Sequence, residues 1–472
     1  MVNLAFDLGA SNGRLVMSRL DGGRIVLEEV HRFPNEPVWF RGRLYWDFFR
    51  LLHELKQGLR KAAQLGVEIS SIGIDTWGVD FGLLDRRGEL AANPIHYRDN
   101  RGRGMLEEIE ADTSVRFSHI YEVTGIQNFS FNTLYQLYYD AKYRPELMEQ
   151  AEALLFMPDL FSYALTGEKY SEYTIASTSQ MLDARRKEWA WQLLEGIGLP
   201  TRLLQPLIEP GEIWARLSAD IQEEVGLPAV PVVAVGSHDT ASAVAAAPLS
   251  SANSVFLSCG SWSLLGMERK EPLISPQSLA ANFTNEGGVE DTIRYLDNIT
   301  GLWIIQELRK KWCRTKGEVS FAQISQAAWE AEFDYAIDPS AECFVAPFDM
   351  EEAVVEHCRA QLGKTPQTIG EIARAVYNGI VLEYSNRIRA LEETQGVTVD
   401  CINMVGGGTR DEFLCQLTAD VTQKPVLAGP IEASVLGNTL MQLKALGQIS
   451  SVREGRELVK RSFPIKEYLP QA

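Results

Sequence analysis

Short apolar segments that end in glycine and small polar residues recur along this chain of 472 residues. Residues 3–9 (NLAFDLG) are predicted to form a strand that ends in an acid and a glycine, and residues 14–19 and 25–30 two further strands. Residues 21–23 (DGG) predict a hairpin turn between the last two strands. The glycine turn at 10–13 therefore joins two strands, which excludes the P-loop and the Rossmann fingerprint because both need a helix next.

Longer apolar periodicities predict helices elsewhere. Apolar residues over 47–65 recur at helical spacing, with Asp47 as the N-cap and Gly66 as the terminating residue. A long amphipathic helix is predicted over 369–395 by the same pattern. Residues 105–200 are mostly helical in pattern, and their sequence gives the weakest indication of catalytic or binding residues.

The strand, turn and strand of the N-terminus return about half a chain later. Residues 254–266 (SVFLSCGSWSLLG) parallel residues 4–17 (LAFDLGASNGRLVM), and two such hairpins indicate a duplicated α/β unit. A glycine and serine turn between strands can wrap phosphates with backbone N–H groups and a hydroxyl. Ser258 stands in the second copy where Asp7 stands in the first, so a hydrated Mg²⁺ is expected beside Asp7 only. The alternative is a plain hairpin with a capping Asp.

One stretch, residues 232–244 (VVAVGSHDTASAV), carries a candidate catalytic acid. A short apolar strand delivers Asp239, flanked by His238 and Thr240, to a strand end, where ligands of open α/β sheets bind. An acid in that place can accept a proton from a substrate hydroxyl. The alternative is an ordinary helix N-cap, since Asp and Thr both cap helices.

Two further glycine sites have a functional and a structural interpretation. Trp77 and Gly78 could form a sugar-facing wall, or Trp77 could be a core residue beside a turn. Residues 406–408 (GGG) lie between a predicted strand and a helix, where a ring or phosphate could approach the backbone. Neither pattern decides between the two interpretations by itself.

Length, charge and cysteine usage restrict the class of protein. A chain of 472 residues is too long for one core and predicts two domains. The net charge of −18 disfavours nucleic acid and anionic membrane as partners. The six cysteines are scattered without a C-x-x-C pair, which is typical of reduced thiols. With no leader pattern and no run of 18 apolar residues, we expect a soluble cytoplasmic protein.

Several longer motifs resemble the FGGY carbohydrate kinases, which belong to the actin-like ATPase fold class. With DLGAS at the N-terminus, they are IGIDTWGVDFGLLD (72–85), FNTLYQL (131–137), SHDTASAV (237–244), LAANFTNEGG (279–288) and VGGG (405–408). The resemblance extends from about Leu4 to about Leu446. It implies an α/β fold of two actin-like (ribonuclease H-like) ATPase domains with a central cleft. The expected ranges are 1–247 for the sugar, Mg²⁺ and phosphate domain, 248–448 for the nucleotide domain and 449–472 for a C-terminal tail.

The resemblance also implies a reaction and residue roles. The expected reaction is MgATP-dependent phosphorylation of L-rhamnulose at O1 in L-rhamnose catabolism, with Asp239 as the proton acceptor and Asp7 supporting Mg²⁺ through water. The implied contacts are Ala10, Ser11, Asn12, Gly13, Arg14 and Ser261 to ATP phosphates; Gln306 and Gly407 to the nucleotide; and Gly78, His238, Asp239, Thr240 and Asn298 to the sugar. Ser261 departs from the Thr that is common in these kinases but keeps the hydroxyl, and neighbouring Cys259 is expected to be an apolar filler.

Two other functions stay open from the sequence. One is a kinase for another ketose, such as L-fuculose or L-xylulose. The other is a catalytically silent actin-like protein that binds nucleotide as a sensor. The expected partners are a small-molecule sugar and ATP, without nucleic acid or membrane, for a monomer or small homo-oligomer.

Overall fold

The computed structural model of the chain describes residues 2–344 and 347–471. The chain divides into two compact units, and each unit is assembled from three segments. The first unit comprises Met1–Ala246, Arg269–Tyr295 and Ser434–Ser462, and the second comprises Ala247–Glu268, Leu296–Ala433 and Phe463–Ala472. The two units therefore alternate along the sequence instead of following one another.

The strands of the structure are, in chain order, β1 (Val2–Leu8), β2 (Asn12–Asp21), β3 (Arg24–Pro34), β4 (Val38–Phe40), β5 (Arg43–Tyr45), β6 (Ile69–Thr76), β7 (Phe81–Asp85), β8 (Leu90–Ala92), β9 (Ala151–Phe156), β10 (Ser171–Glu172), β11 (Leu182–Asp183), β12 (Glu188–Trp189), β13 (Leu207–Ile208), β14 (Ile213–Arg216), β15 (Pro231–Val233), β16 (Val255–Cys259), β17 (Trp262–Arg269), β18 (Thr284–Gly287), β19 (Ile293–Thr300), β20 (Ile402–Val405), β21 (Val426–Ala428) and β22 (Lys466–Tyr468).

The α-helices are, in the same order, α1 (Phe48–Gln64), α2 (Met105–Asp112), α3 (Phe117–Thr124), α4 (Thr133–Tyr143), α5 (Pro145–Gln150), α6 (Met157–Thr166), α7 (Tyr173–Ser177), α8 (Trp191–Ile197), α9 (Ala219–Val225), α10 (Asp239–Ala246), α11 (Pro276–Ala280), α12 (Trp303–Lys316), α13 (Phe321–Glu330), α14 (Met350–Leu362), α15 (Ile369–Gln395), α16 (Glu412–Thr422), α17 (Ala433–Ala445) and α18 (Val452–Ser462).

The main sheet of the first unit confirms the predicted N-terminal hairpin. Its strand order is β14-β15-β6-β1-β2-β3. Strand β1 runs antiparallel to β2 and parallel to β6, and β15 runs antiparallel to the edge strand β14. The sheet packs on α1, whose Leu51, Leu55 and Leu59 are buried in the same apolar cluster as Leu4 and Phe6.

The seven-stranded sheet repeats this topology and confirms the predicted duplication. Its order is β18-β19-β17-β16-β20-β21-β22. Strand β16 is antiparallel to β17 and parallel to β20, as β1 is to β2 and β6, and the edge pair β21 and β22 is again antiparallel. Asp7 is the second-last residue of β1 and Ser258 the second-last residue of β16. Ser258 therefore occupies in the second hairpin the topological position that Asp7 occupies in the first.

Both helices with clear sequence signals form as predicted. The Asp47 side chain caps α1 by accepting a hydrogen bond from the Arg50 amide, and α1 ends at Gln64. Thr368 and Glu371 form a capping box at the start of α15, and Gly396 ends α15 in the left-handed conformation. Local capping chemistry thus sets these helix boundaries.

The C-terminal residues contain structure that the sequence pattern did not reveal. Residues 452–462 form α18, in which Val452, Leu458 and Val459 are buried. The Arg456 side chain donates hydrogen bonds to the carbonyl oxygens of Val244 and Ala245 at the end of α10. These contacts satisfy carbonyl groups that a helix end leaves without intrahelical partners. The first unit therefore uses this helix to hold α10.

Among the described residues, none of the helices combines the length and apolar character needed to cross a lipid bilayer.

Candidate active site

The loop from β15 into α10 lies beside the end of β6 in the first unit. The Thr76 amide donates to the Ser237 carbonyl oxygen over 2.9 Å, and Thr76 and His238 form a parallel bridge. Helix α10 begins at Asp239. A helix N-terminus favours negative charge because its first N–H groups lack intrahelical partners. The fold thus places the Asp239 carboxylate at a strand end and at a helix start together.

Asp239 is enclosed but still reachable by a ligand. Its side chain is 31% exposed, whereas the neighbouring His238 side chain is 10% exposed. Burial raises the pKa of Asp239, and the charge of Asp7 adds to that shift. The Thr240 hydroxyl donates to Asp239 Oδ1 over 3.1 Å. These surroundings make the carboxylate a better proton acceptor than an exposed aspartate.

Four of the residues expected to contact sugar lie together in the first unit. Gly78 packs against His238: a Cβ atom at position 78 would lie 3.3 Å from His238 Nε2 and 3.4 Å from the Thr178 side chain. His238, Asp239 and Thr240 follow directly in the loop. Asn298, the fifth expected contact, lies on β19 in the second unit.

Trp77 is a core residue, which is the structural alternative that the sequence analysis gave for this position. Its side chain lies 4.0 Å from the ring centre of Trp46 and is 5% exposed. Both indole N–H groups donate to Asp80 Oδ2, over 3.1 Å from Trp77 and 2.6 Å from Trp46. The Trp77 ring is therefore not available to form the sugar-facing wall that was the functional alternative for this position.

The first phosphate-type turn is flanked by an ion pair between an aspartate and an arginine. Asp7 and Arg14 are paired across β1 and β2, and Arg14 donates to Asp7 Oδ2 from Nε over 3.0 Å and from Nη2 over 2.7 Å. The turn is closed by the Gly9 amide, which donates to the Asn12 carbonyl oxygen over 2.9 Å. Residues 10 and 11 form the turn and β2 begins at Asn12, so the turn is shorter than the predicted 10–13; Ser11 and Asn12 are exposed.

Asp75 is an acid of this site that the sequence analysis missed. It lies directly opposite Asp7 in the parallel register of β1 and β6 and is fully buried. The Asn438 side chain donates to Asp75 Oδ2 over 2.6 Å, while Oδ1 has no hydrogen-bond partner among the described residues. Burial and the charge of Asp7 hold the pKa of Asp75 well above its ordinary value. The motif IGIDT, an apolar strand ending in an acid, was the available signal.

Glu172 anchors the loop that carries the candidate base. Its carboxylate accepts hydrogen bonds from the amides of Thr174, Ile175 and Ser237 and from the Thr174 hydroxyl. The Thr174 hydroxyl in turn accepts from the His238 amide over 3.3 Å. Glu172 is fully buried, and burial raises its pKa to about 7. It holds two segments of backbone in place without contacting the ligand space itself.

This raised pKa predicts how stability depends on pH. The folded chain holds the Glu172 proton more tightly than the unfolded chain, so its contribution to stability is greatest below pH 4.5 and falls as pH rises through about 7. A shift of this size corresponds to about 3 kcal/mol. In urea unfolding at several pH values, the stability advantage of the parent over Glu172→Gln should therefore shrink by about 3 kcal/mol across this range. A difference that does not change with pH would contradict the assignment.

The second unit brings together two of the residues expected to contact the nucleotide. The Ser261 hydroxyl donates to Gln306 Oε1 over 2.8 Å. The backbone of the turn is closed by Gly260, whose amide donates to the Trp262 carbonyl oxygen over 2.9 Å, and the Trp303 amide donates to the Ser261 carbonyl oxygen over 3.2 Å. The start of α12 is thereby fixed to the hairpin between β16 and β17.

Two of the three glycines after β20, Gly406 and Gly408, pack on the same hairpin. A Cβ atom on Gly408 would lie 2.3 Å from Cys259 Sγ, and one on Gly406 would lie 3.1 Å from the Cys259 carbonyl oxygen. At Gly407 no atom lies within 4 Å of such a Cβ. Cys259 is 1% exposed, and burial raises the pKa of its thiol to about 11. It is the neutral filler that the sequence predicted.

Comparison with known proteins identifies the family from both halves of the chain. The N-terminal domain model of the FGGY family of carbohydrate kinases matches residues 2–246, and the C-terminal domain model matches residues 255–446. The chain belongs to the FGGY family of carbohydrate kinases. It is therefore a sugar kinase, for which ATP is the expected phosphoryl donor.

Relatives of this FGGY kinase cover nearly its whole length. The rhamnulokinase of Bacteroides thetaiotaomicron is 40% identical over 468 residues, which are 99% of this chain and 95% of the relative. The rhamnulokinase of Bacillus subtilis is 38% identical over 472 residues, with 100% of this chain and 96% of the relative covered.

Solved structures confirm the predicted two-domain α/β kinase fold. The ligand-bound xylulose kinase of Lactobacillus acidophilus has a TM-score of 0.82 at 17% identity, covering 100% of this chain and 94% of that one. The glycerol kinase of Plasmodium falciparum with ADP has a TM-score of 0.79 at 15% identity, with the same coverage. These structures share the architecture of this FGGY kinase.

Proposed function

We propose that this FGGY kinase transfers the γ-phosphoryl group of ATP to O1 of L-rhamnulose, a step of L-rhamnose catabolism. The observation that carries the proposal is the 40% identity to a rhamnulokinase over 99% of the chain. The geometry of the first unit supports it, because a partly exposed acid stands at a helix start beside Gly78 and His238. The cytoplasmic location and the oligomeric state stay predictions.

In this reaction Asp239 acts as the general base. It accepts the proton of the sugar O1–H as that oxygen bonds to phosphorus and the bond between phosphorus and the β–γ bridging oxygen breaks, which leaves ADP. Protein groups contribute mainly by positioning the reactants and by balancing charge in such transfers. His238, Thr240, Gly78 and Asn298 are the proposed sugar contacts.

The proposed phosphate contacts lie on the two duplicated hairpins: Ala10, Ser11, Asn12, Gly13 and Arg14 on the first and Ser261 on the second. The two further proposed nucleotide contacts are Gln306 on α12 and Gly407 after β20. The hydrogen bond between Ser261 and Gln306 supports a joint role for these two residues. The exposure of Ser11 and Asn12 supports a phosphate-binding role for the first turn.

The carboxylates of the first unit fit a hydrated Mg²⁺. Asp7 and Asp75 face each other in register, and within the part of the chain that the structure describes the buried Oδ1 of Asp75 has no hydrogen-bond partner. Mg²⁺ is commonly bound by one or two carboxylates and retains several waters. Asp7 would hold it through water, and the ion would neutralise charge on the ATP phosphates.

The division of labour between domains is part of the proposal. Residues 1–247 would carry the sugar, Mg²⁺ and phosphate contacts, residues 248–448 the nucleotide contacts, and residues 449–472 a C-terminal tail. The matched family ranges support the first two assignments. The contact of Arg456 with α10 supports a structural role for the last segment.

A panel of ketoses tests the substrate. ADP release would be followed in a coupled spectrophotometric assay with L-rhamnulose, L-fuculose, L-xylulose and D-xylulose at several concentrations. We expect the highest kcat/KM with L-rhamnulose. A higher kcat/KM with another ketose would transfer the proposal to that sugar, and nucleotide binding without sugar-stimulated ADP release would support the silent sensor.

A further inference from the structure

A buried arginine contacts the ring of the proposed sugar ligand His238. Arg294 lies on β19 within the first unit and is 0% exposed. Its Nε donates to the Gly287 carbonyl oxygen over 2.9 Å, its Nη1 lies 3.0 Å from Glu286 Oε2, and its Nη2 lies 3.2 Å from His238 Nδ1. The buried guanidinium thus has a carbonyl oxygen, a carboxylate oxygen and an imidazole nitrogen within 3.2 Å.

The chemistry of arginine decides which nitrogen of His238 carries the proton. A guanidinium has only donors and stays charged in proteins. Nδ1 of His238 must therefore accept, which requires the neutral ring with its proton on Nε2. A doubly protonated ring would place two positive charges in contact away from water.

Glu286, by contrast, presents a hydrogen-bond acceptor to the same nitrogen of His238. Its Oε2 lies 3.3 Å from His238 Nδ1, close enough to accept a proton-bearing Nδ1. The same oxygen is 3.0 Å from Arg294 Nη1, so its charge is already compensated by a permanent cation. Arg294 thereby prevents Glu286 from drawing a proton onto the ring.

Two other carboxylates, those of Asp239 and Glu172, lie near the His238 ring or the loop that carries it. Asp239, next in the chain, has Oδ1 3.5 Å from His238 Nε2. Glu172 reaches the loop through the Thr174 hydroxyl, and the ring of Tyr173 packs on Gly287. The negative charges of Glu286, Asp239 and Glu172 favour the charged form of Arg294, whose Nη2 lies 3.2 Å from His238 Nδ1.

We infer that Arg294 is a positioning residue that fixes His238 as a neutral Nε2–H donor. The Nε2 side of the ring faces Gly78 and Asp239, so the donor is aimed at the space proposed for the sugar. His238 then recognises a sugar oxygen by donating to it and leaves Asp239 as the proton acceptor. The role in sugar recognition rests on the proposed function, whereas the protonation state of His238 does not.

The parent protein alone can overturn this inference. The chain has six histidines, so selective ring labelling with ¹⁵N and ¹³C followed by NMR gives few signals, and His238→Gln identifies the one of interest. At pH 7, without sugar or nucleotide, we expect Nε2 protonated and Nδ1 unprotonated. A proton on Nδ1, in either the neutral or the charged ring, would overturn the inference.

Variants of the pair separate positioning from general structural support. In Arg294→Met, Glu286 faces the ring without its cation, so Nδ1 should gain a proton. Arg294→Lys keeps a charged donor and should keep the parent tautomer. The double variant Arg294→Met/Glu286→Gln removes both charges, so the proton should no longer be drawn to Nδ1. An unchanged tautomer in Arg294→Met would overturn the inference.

Kinetics then distinguish this inference from the proposed reaction. In Arg294→Met the KM for the sugar should rise about 3- to 10-fold, with kcat less affected, because one hydrogen bond to the sugar is altered. Failure of L-rhamnulose as a substrate would refute the proposed function while leaving the NMR result unaffected. If Arg294→Met does not fold, the parent and Arg294→Lys spectra still decide the question.

Discussion

Replacement of Asp239 by Asn is expected to lower kcat by about 10²–10⁴-fold, the range for loss of a general base. The amide preserves the size of the side chain and can still accept from the Thr240 hydroxyl, so the start of α10 should survive. It cannot take up the proton that the sugar hydroxyl loses. Steady-state kinetics with saturating ATP and ketose measure the effect, and calorimetry should show ATP affinity close to that of the parent.

A matched substitution separates loss of the base from loss of charge. Asp21→Asn removes one negative charge at the exposed end of β2, opposite to the end that carries Asn12, and should leave kcat unchanged. Turnover of Asp239→Asn within a few-fold of the parent would refute the role of Asp239. Loss of ATP binding in the same variant would instead point to a structural role for this carboxylate.

The second large effect is expected from Gly437→Ala in α17, which packs against α10, the helix that begins at Asp239. Gly437 lies on α17 against α10, where a Cβ atom would meet the Ser242 carbonyl oxygen at 1.7 Å and its carbon at 2.4 Å. Backbone atoms cannot rotate away, so one of the helices must shift. We expect the free energy of unfolding to fall by about 3 kcal/mol. Displacement of α10 should also reduce kcat, because misplacement of a catalytic group by about 1 Å can cost about 10²-fold.

Gly196→Ala is the control for that substitution. Gly196 lies near the end of α8, where the nearest atom to a new Cβ would be a Val115 methyl group at 3.7 Å, an ordinary contact. Alanine favours a helix over glycine by up to about 1 kcal/mol, so this variant should be as stable as the parent or slightly more stable. Chemical denaturation of both variants under one set of conditions gives the comparison. Equal stability of Gly437→Ala and the parent would show that α17 and α10 are not in close contact.

The fold was predictable wherever local chemistry sets the structure. Asp47, the Thr368 capping box and Gly396 define helix ends through their own side chains or conformations, and the periodic apolar residues between them do the rest. The duplicated hairpin was predictable because its turns require glycine and small polar residues. By contrast, β9 (AEALLF) lay inside a segment that was mostly helical in pattern, because a short apolar run fits a buried strand and a helix equally well. Its strand character comes from pairing with β7.

The candidate site was predictable only where its residues stand next to each other in sequence. His238, Asp239 and Thr240 form one motif, so a strand followed by a helix start was enough to single them out. Asp75, Glu172 and Arg294 act through register, a buried turn and a distant strand, respectively. Each needs a partner far along the chain, and a single sequence carries no signal for such pairings. For Asp75 the motif IGIDT indicated an acid at a strand end but not its pairing with Asp7.

The identity of the product tests the central claim most directly. L-Rhamnulose and ATP would be incubated with the protein, and the product analysed by ³¹P and ¹H NMR alongside ADP quantification. We predict one phosphate ester, coupled to the methylene protons at C1, and one ADP for each sugar converted. An ester at another carbon, or ADP formed at the same rate without sugar, would contradict phosphoryl transfer to O1 with Asp239 as the base.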